Sequence, residues 1–267
     1  MIDFDLTDEH RLLEQTVREW AARDITPHIH DDDRQHRFDR DRVFSGMKKL
    51  GLLGICVPQQ YGGAGMDYVC LGLASEELEY ADTSLRVIMS VHVGLNCLTL
   101  LAWGTEEQKQ RYLVPQARGE KIAGYGLTEP GAGSDARAIQ TTAIKRGDRY
   151  VITGEKTWIS LADVADHFLV IAWTDLAKKQ HRDPSGISAF IVERGFKGFA
   201  SGPLKEKWGI LAGNTGYFTM DAVEVPEENM LGRPGEASRS RCSPSIRAGS
   251  RWRPAQPDSC GRAATPA

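Results

Sequence analysis

In the first third of the chain, apolar residues recur every three or four positions. Further on they alternate. In "FDLTDEHRLLEQTVREWAA", Leu13, Val17, Trp20 and Ala21 share one helical face, with Thr7 as the expected N-cap. Asp8 and Glu9 in the first turn favour the positive end of the helix dipole. A second helix carries Val43, Met47 and Leu50 and stops at Gly51, and "VPQQYGGAGMD" reads as a Pro/Gly loop. Two long apolar-periodic segments over 67–101 break near Asp82 and Thr83. "GTEEQKQRYL" opens a further helix, where Thr105 and Gln108 have the spacing of a capping box.

From Lys121 the period shortens to two. "KIAGYGLT" is a short strand, and "TTAIKRGDRYVITGEKTWIS" reads as a hairpin around an Arg-Gly-Asp turn. "HFLVIAWT", "GISAFIVER" and "GYFTMDAVEVP" are further strands, a pattern pointing to an antiparallel barrel or sandwich rather than βαβ units. The fold class is α+β: an N-terminal all-α domain over 1–120, then an antiparallel β domain over 121–233. From Ala237 the grammar fails. The stretch holds six Arg, six Ser and four Pro, with Ile246 alone among Leu, Ile, Val and Phe. Such a segment cannot offset its ordering entropy by burial, so 234–267 is expected to be a disordered tail.

A net charge of −3, with no basic block before the tail, argues against nucleic acid as a partner. "MIDFDLTDEH" has no leader character, and no stretch approaches the roughly 18 apolar residues of a membrane span. Cys56, Cys70 and Cys97 lack metal-ligand spacing and read as core thiols of a reducing compartment. The expected location is cytoplasmic.

Two motifs carry candidate chemistry. In "YGLTEPGAGSDA", Gly131, Gly133 and Ala136 satisfy a loose dinucleotide pattern, but a hairpin follows where a Rossmann unit needs a helix. What survives is a loop whose glycines let backbone N–H groups approach a phosphate, with Thr128 and Ser134 adding hydroxyls. The alternative is an ordinary Pro-Gly turn. In "KTWIS", Trp158 beside Ser160 can cover a flat aromatic ligand, or it can be a core tryptophan.

Together with "YGGAG", "EELEYAD", "GTEEQKQRYL", "GISAFIVER" and "VEVPEENMLG", the motifs "LTEPGAGSD" and "GEKTWIS" resemble the landmarks of the acyl-CoA dehydrogenases, in that family's order, over residues 1–236. The resemblance implies an FAD enzyme that oxidises an acyl-CoA thioester to its 2,3-enoyl form. It also implies a helical domain, a middle β-barrel and a C-terminal four-helix bundle, dimers or tetramers, and electron-transfer flavoprotein as acceptor. By matching position, Tyr125, Gly126, Leu127, Thr128, Gly133 and Ser134 line the flavin, and Leu127 and Thr128 meet its pyrimidine side. Ser134 also reaches the CoA chain; Trp158 flanks the ring, with Ile159 beside it, and Ser160 lies near the hydride-accepting nitrogen. Val91, Leu95 and Leu98 form part of the acyl pocket or are plain core. The family's "GIRASDT" stands here as "GILAGNT", with Leu211 in place of Arg.

The base that removes the α-proton is, in this family, a Glu on the C-terminal bundle, expected beyond Glu236. Glu76, Glu77, Glu79 and Glu129 read as solvated or structural, and no catalytic residue is assigned. The tail offers a reason. If "ASRSRC" is written GCT TCA AGA TCG CGA TGC, one added G shifts it to GGC TTC AAG ATC GCG ATG, "GFKIAM". The same shift continues as "GFKIAMLAIDQGRFTVASGATGLMRAC", which resembles the first helix of the bundle. The expectation is a frameshifted member of the family without its bundle, weakly active or inactive. The alternatives are a non-catalytic flavin-binding remnant or pseudogene product, and an acyl-CoA oxidase-like or nitroalkane-oxidase-like enzyme.

Overall fold

The structure is a computed structural model and describes residues 5–235. The expected tail from Glu236 onward and the bundle reading lie outside the described residues.

Helix α1 (Asp8–Trp20) starts at Thr7 in a reciprocal cap, with His10 rather than Glu or Gln bonding back, and buries Leu13, Val17 and Trp20. A short helix that the apolar pattern does not announce follows, α2 (Ile29–Arg34). Ion pairs hold it: Asp32, nearly buried, takes both Arg37 and Arg42. Helix α3 (Arg40–Lys49) buries Val43 and Met47 and ends before Gly51, whose φ of 68° is the left-handed turn a glycine supplies. Helix α4 (Tyr68–Ala81) gives way to α5 (Thr83–Trp103) at Asp82, whose extended backbone and carboxylate cap the second helix through the Ser84 N–H. Over Met89–Cys97, α5 winds in the wider π form.

Contrary to the sequence expectation, α5 is long and apolar enough to cross a membrane, with a mean hydropathy of 1.6. Half of that window is buried inside the protein, however, and it carries His92 and Asn96 on protein partners. A core helix of this kind passes the same length and composition test as a membrane span. The helical run over 106–117 begins with the reciprocal Thr105–Gln108 cap. The Gln108 amide also donates to the Glu228 and Met230 carbonyls at 2.7 and 2.9 Å, docking this run on the end of the sheet.

The strands are β1 (Ala123–Gly126), β2 (Thr142–Arg146), β3 (Arg149–Ser160), β4 (His167–Trp173), β5 (Ile187–Glu193), β6 (Phe199–Pro203), β7 (Thr215–Pro226) and β8 (Met230–Leu231). They form one sheet in the order β6-β7-β3-β2-β4-β5-β8, with β1 paired to β4. Most pairs are antiparallel, as alternation and hairpin spacing suggest, but β1–β4 and the single pair Thr142–Trp173 of β2–β4 are parallel. The sheet is therefore mixed rather than purely antiparallel. The reason is that β1 and β2 are joined by a long loop, not a hairpin. They lie one after the other along the same edge of β4, β1 against His167–Val170 and β2 against Trp173. The chain leaves the sheet between them as the loop over 127–141. Strand β4 is buried along its whole length, as its unbroken apolar run requires.

Candidate functional site

The loop leaving β1 is shaped by what lies behind it. Gly126 is bare because a Cβ there would run into the Phe218 ring. Beyond it, Glu129 and Ala132 exchange backbone hydrogen bonds of 3.0 Å, closing a tight turn over Pro130 and Gly131. Glu129 points inward, nearly buried, and accepts from the Gln140 and Thr141 amides, the Thr141 hydroxyl and the Lys156 ammonium, the last at 2.8 Å. Lys156 is fully buried and also donates to the Leu127 carbonyl at 3.0 Å. Burial would raise the Glu129 carboxyl, but the Lys156 charge and the hydrogen bonds outweigh it and hold the group below its ordinary value. Burial lowers the Lys156 ammonium against the pull of Glu129.

The front of the loop is different in kind. Gly131 and Gly133 have exposed backbone, ordinary φ, and nothing within 4 Å of where a Cβ would stand. Neither packing nor backbone conformation calls for glycine there, and both positions leave the backbone open to close approach. Ser134 is exposed beside them, Thr128 is half-buried, and Tyr125 and Leu127 are buried. Asp135 closes the loop with an ion pair to Arg182.

Strand β3 supplies the second motif. Tyr150, Ile152 and Lys156 face inward, and Trp158 falls in the same phase. Yet the β3–β7 register shifts between Thr157 and Ile159, and Trp158 is thrown outward, 62% exposed at a φ of +57°. A bulky residue in that region costs on the order of 1–3 kcal/mol, a strain that clusters at ligand sites. Ile159 returns to the core, and Ser160 is half-buried. The Thr157 N–H donates to the Thr128 carbonyl at 2.9 Å, so the two motifs, distant in sequence, meet backbone to backbone.

Val91, Leu95 and Leu98 are all half-buried on α5. The helix is tied to β1 by His92, whose Nδ1 accepts the Ala123 N–H at 3.1 Å while Nε2–H donates to the Gln116 carbonyl at 3.2 Å. The Gln116 amide continues to His167 Nε2 on β4 at 2.6 Å. Burial drives both imidazoles down, His92 to about 4 and His167 to about 3, so both are neutral. Sequence reasoning missed this pair, and it left Glu129 and Lys156 unlinked. The in-phase position of Lys156 on the buried face of β3 was the one available signal. Leu211 lies in the loop before β7 and donates its N–H to Asp33 at 3.2 Å.

His10, Asp67 and Cys70 also bring an N, an O and an S donor atom within 4.8 Å of one another. His10 Nδ1 already accepts the Thr7 N–H, so its proton sits on Nε2, facing Asp67. Asp67 in turn caps α4 through the Cys70 N–H at 2.8 Å. Burial raises the Cys70 thiol to about 11. These groups serve the helix starts.

The profile of the acyl-CoA dehydrogenase N-terminal domain matches residues 7–120, and that of the middle domain matches 124–223. The short-chain specific acyl-CoA dehydrogenase of Clostridium acetobutylicum is 45% identical over 235 residues, 88% of this chain and 61% of its own. The three-dimensional structure of butyryl-CoA dehydrogenase from Megasphaera elsdenii superposes with a TM-score of 0.83 at 35% identity, covering 88% of this chain and 61% of the other. An acyl-CoA dehydrogenase from Bacillus anthracis, solved in complex with FAD, gives 0.78 at 35% identity, covering 88% and 39%. The chain thus spans less than two thirds of the length of these relatives. With its helical half and its sheet both matched, and with the Leu127–Asp135 loop and the Trp158 bulge lying side by side, the chain belongs to the acyl-CoA dehydrogenase family.

Proposed function

We propose that this chain binds FAD on the ledge formed by the loop after β1 and the bulge of β3, and that it belongs to an enzyme for α,β-dehydrogenation of an acyl-CoA thioester. One observation carries the reading: Trp158 is held out of the sheet in a strained conformation directly beside Thr128. The open faces of Gly131 and Gly133 fit the approach of a phosphate. FAD, when bound, supplies acceptance of a hydride.

Tyr125, Gly126, Leu127 and Thr128 would hold the flavin from the β1 side. Trp158 would hold it from the β3 side, and Ile159 anchors the bulge in the core. Ser160 offers a hydroxyl where negative charge accumulates. Gly133 and Ser134 take the phosphate side, with Ser134 also contacting the CoA chain. Val91, Leu95 and Leu98 line the acyl side, and a short acyl chain is the first to test, given the names of the relatives. Among the described residues, Glu129 and Glu77 are committed to Lys156 and Arg18, and neither serves as the α-proton base. The base is assigned to the part of the enzyme outside residues 5–235. Residues 237–267 are an out-of-frame translation of that part, and this chain turns over weakly or not at all. In the intact enzyme, a dimer or tetramer, electron-transfer flavoprotein takes the electrons.

Titration of the purified chain with FAD, followed by flavin fluorescence, tests the binding. Saturable quenching, at least tenfold weaker in Trp158→Ala, is expected. A native chain that takes up no FAD, or a Trp158→Ala chain that binds equally, would contradict the reading.

A further inference from the structure

Lys156 is the most unusual side chain in the molecule: an ammonium with no exposed surface, in a strand, aimed at a loop rather than at solvent. A buried ion pair of this kind is weak evidence for stability, since its desolvation offsets its attraction, and a well-packed apolar pair often serves as well. What an apolar pair cannot do is hold a peptide plane. The Lys156 ammonium takes the Leu127 carbonyl, and the Thr157 N–H takes the next carbonyl, that of Thr128. A trans peptide is planar, with C=O and N–H pointing opposite ways. Drawing the Leu127 carbonyl inward therefore turns the Thr128 N–H the opposite way, away from the ammonium. The Thr128 N–H has no acceptor among the described residues. Glu129, with its other donors on Gln140 and Thr141, fixes the ammonium from behind.

Resting on the FAD reading above, we propose that Lys156, braced by Glu129, is a positioning residue for the flavin: it aims the Thr128 N–H as a preset donor to the edge of the ring. Preorganised donors of this sort need no reorientation when the ligand arrives.

Two variants test this on the full chain. Lys156→Met removes the ammonium but leaves Glu129 buried and unpaired. Lys156→Met/Glu129→Gln removes that uncompensated charge and protects the fold. FAD affinity is measured by fluorescence titration, and hydrogen exchange at the Thr128 amide is measured by NMR with and without FAD. In the native chain the Thr128 amide should exchange freely without FAD and become protected with it. In the double variant FAD should bind at least tenfold more weakly and the protection at Thr128 should vanish, while amides of Leu169–Ile171 in β4 keep theirs. Equal affinity within twofold together with unchanged protection at Thr128 would overturn the role of Lys156 alone. A native chain that binds no FAD would overturn the FAD reading and the role of Lys156 with it.

Discussion

At the scale of single residues, the site is a set of local exceptions. Lys156 is where an aliphatic residue belongs, and Trp158 is outside where alternation puts it inside. Gly131 and Gly133 are bare where nothing crowds them. Trp158 gives the sharpest residue-level expectation. If its φ of +57° is tolerated for the sake of a ligand, Trp158→Gly relieves strain that the protein alone does not need. Chemical denaturation of the ligand-free chain should show stability unchanged or raised by up to about 1 kcal/mol, because glycine's relief at positive φ is partly offset by its larger unfolded-state entropy. A loss of 2 kcal/mol or more would instead make Trp158 a structural residue. The two motifs themselves were legible, because glycines, hydroxyls and a tryptophan at that spacing are unusual. The clamp behind them was not. Glu129 in a Pro-Gly turn looks solvated in one dimension, and only the fold brings Thr141 and Lys156 to it.

At the scale of elements, caps and hairpins were readable and pairing partners were not. Thr7, Thr105 and the Gly147 turn act through neighbours three or four positions away, so sequence carries them. The parallel β1–β4 pairing joins residues more than 40 positions apart, and it follows from the loop length rather than from either strand. Helix α2 rests on Asp32 and two arginines and has no apolar period to read. The contact between α5 and β1 runs through neutral His92, continued by Gln116 to His167, and this makes a prediction about pH. An unfolded histidine protonates near 6.5, whereas these are depressed to about 4 and about 3 in the folded chain. Below 6.5 the unfolded state takes up protons that the folded state refuses, so stability is full above that pH and falls as pH drops towards about 4. Denaturation midpoints between pH 7.5 and 5 should show the decline, with a shallower slope in His92→Gln. A native chain with a flat profile across that window would mean that the imidazoles are already charged when folded.

At the scale of the whole molecule, the helical half supplies an apolar helix and the sheet supplies a rigid ledge, and His92 and Gln108 fasten one to the other. In relatives that share both halves, the matched region makes up about three fifths of the length, 61% in each of the two named above. The nucleotide sequence across the codons of Gly235, Glu236 and Ala237 is expected to show a run of G one base short, with an amphipathic helix encoded in the shifted frame. Resequencing that finds no such frame would leave residues 237–267 as a genuine tail. The claim on which all else depends is that the loop and the bulge together hold FAD. Hydrogen–deuterium exchange of the full chain with and without FAD tests it most directly. Protection confined to 123–134 and 156–160, with α4 unchanged, is the expected result. FAD binding that leaves those two segments unprotected, or no binding at all, would contradict it.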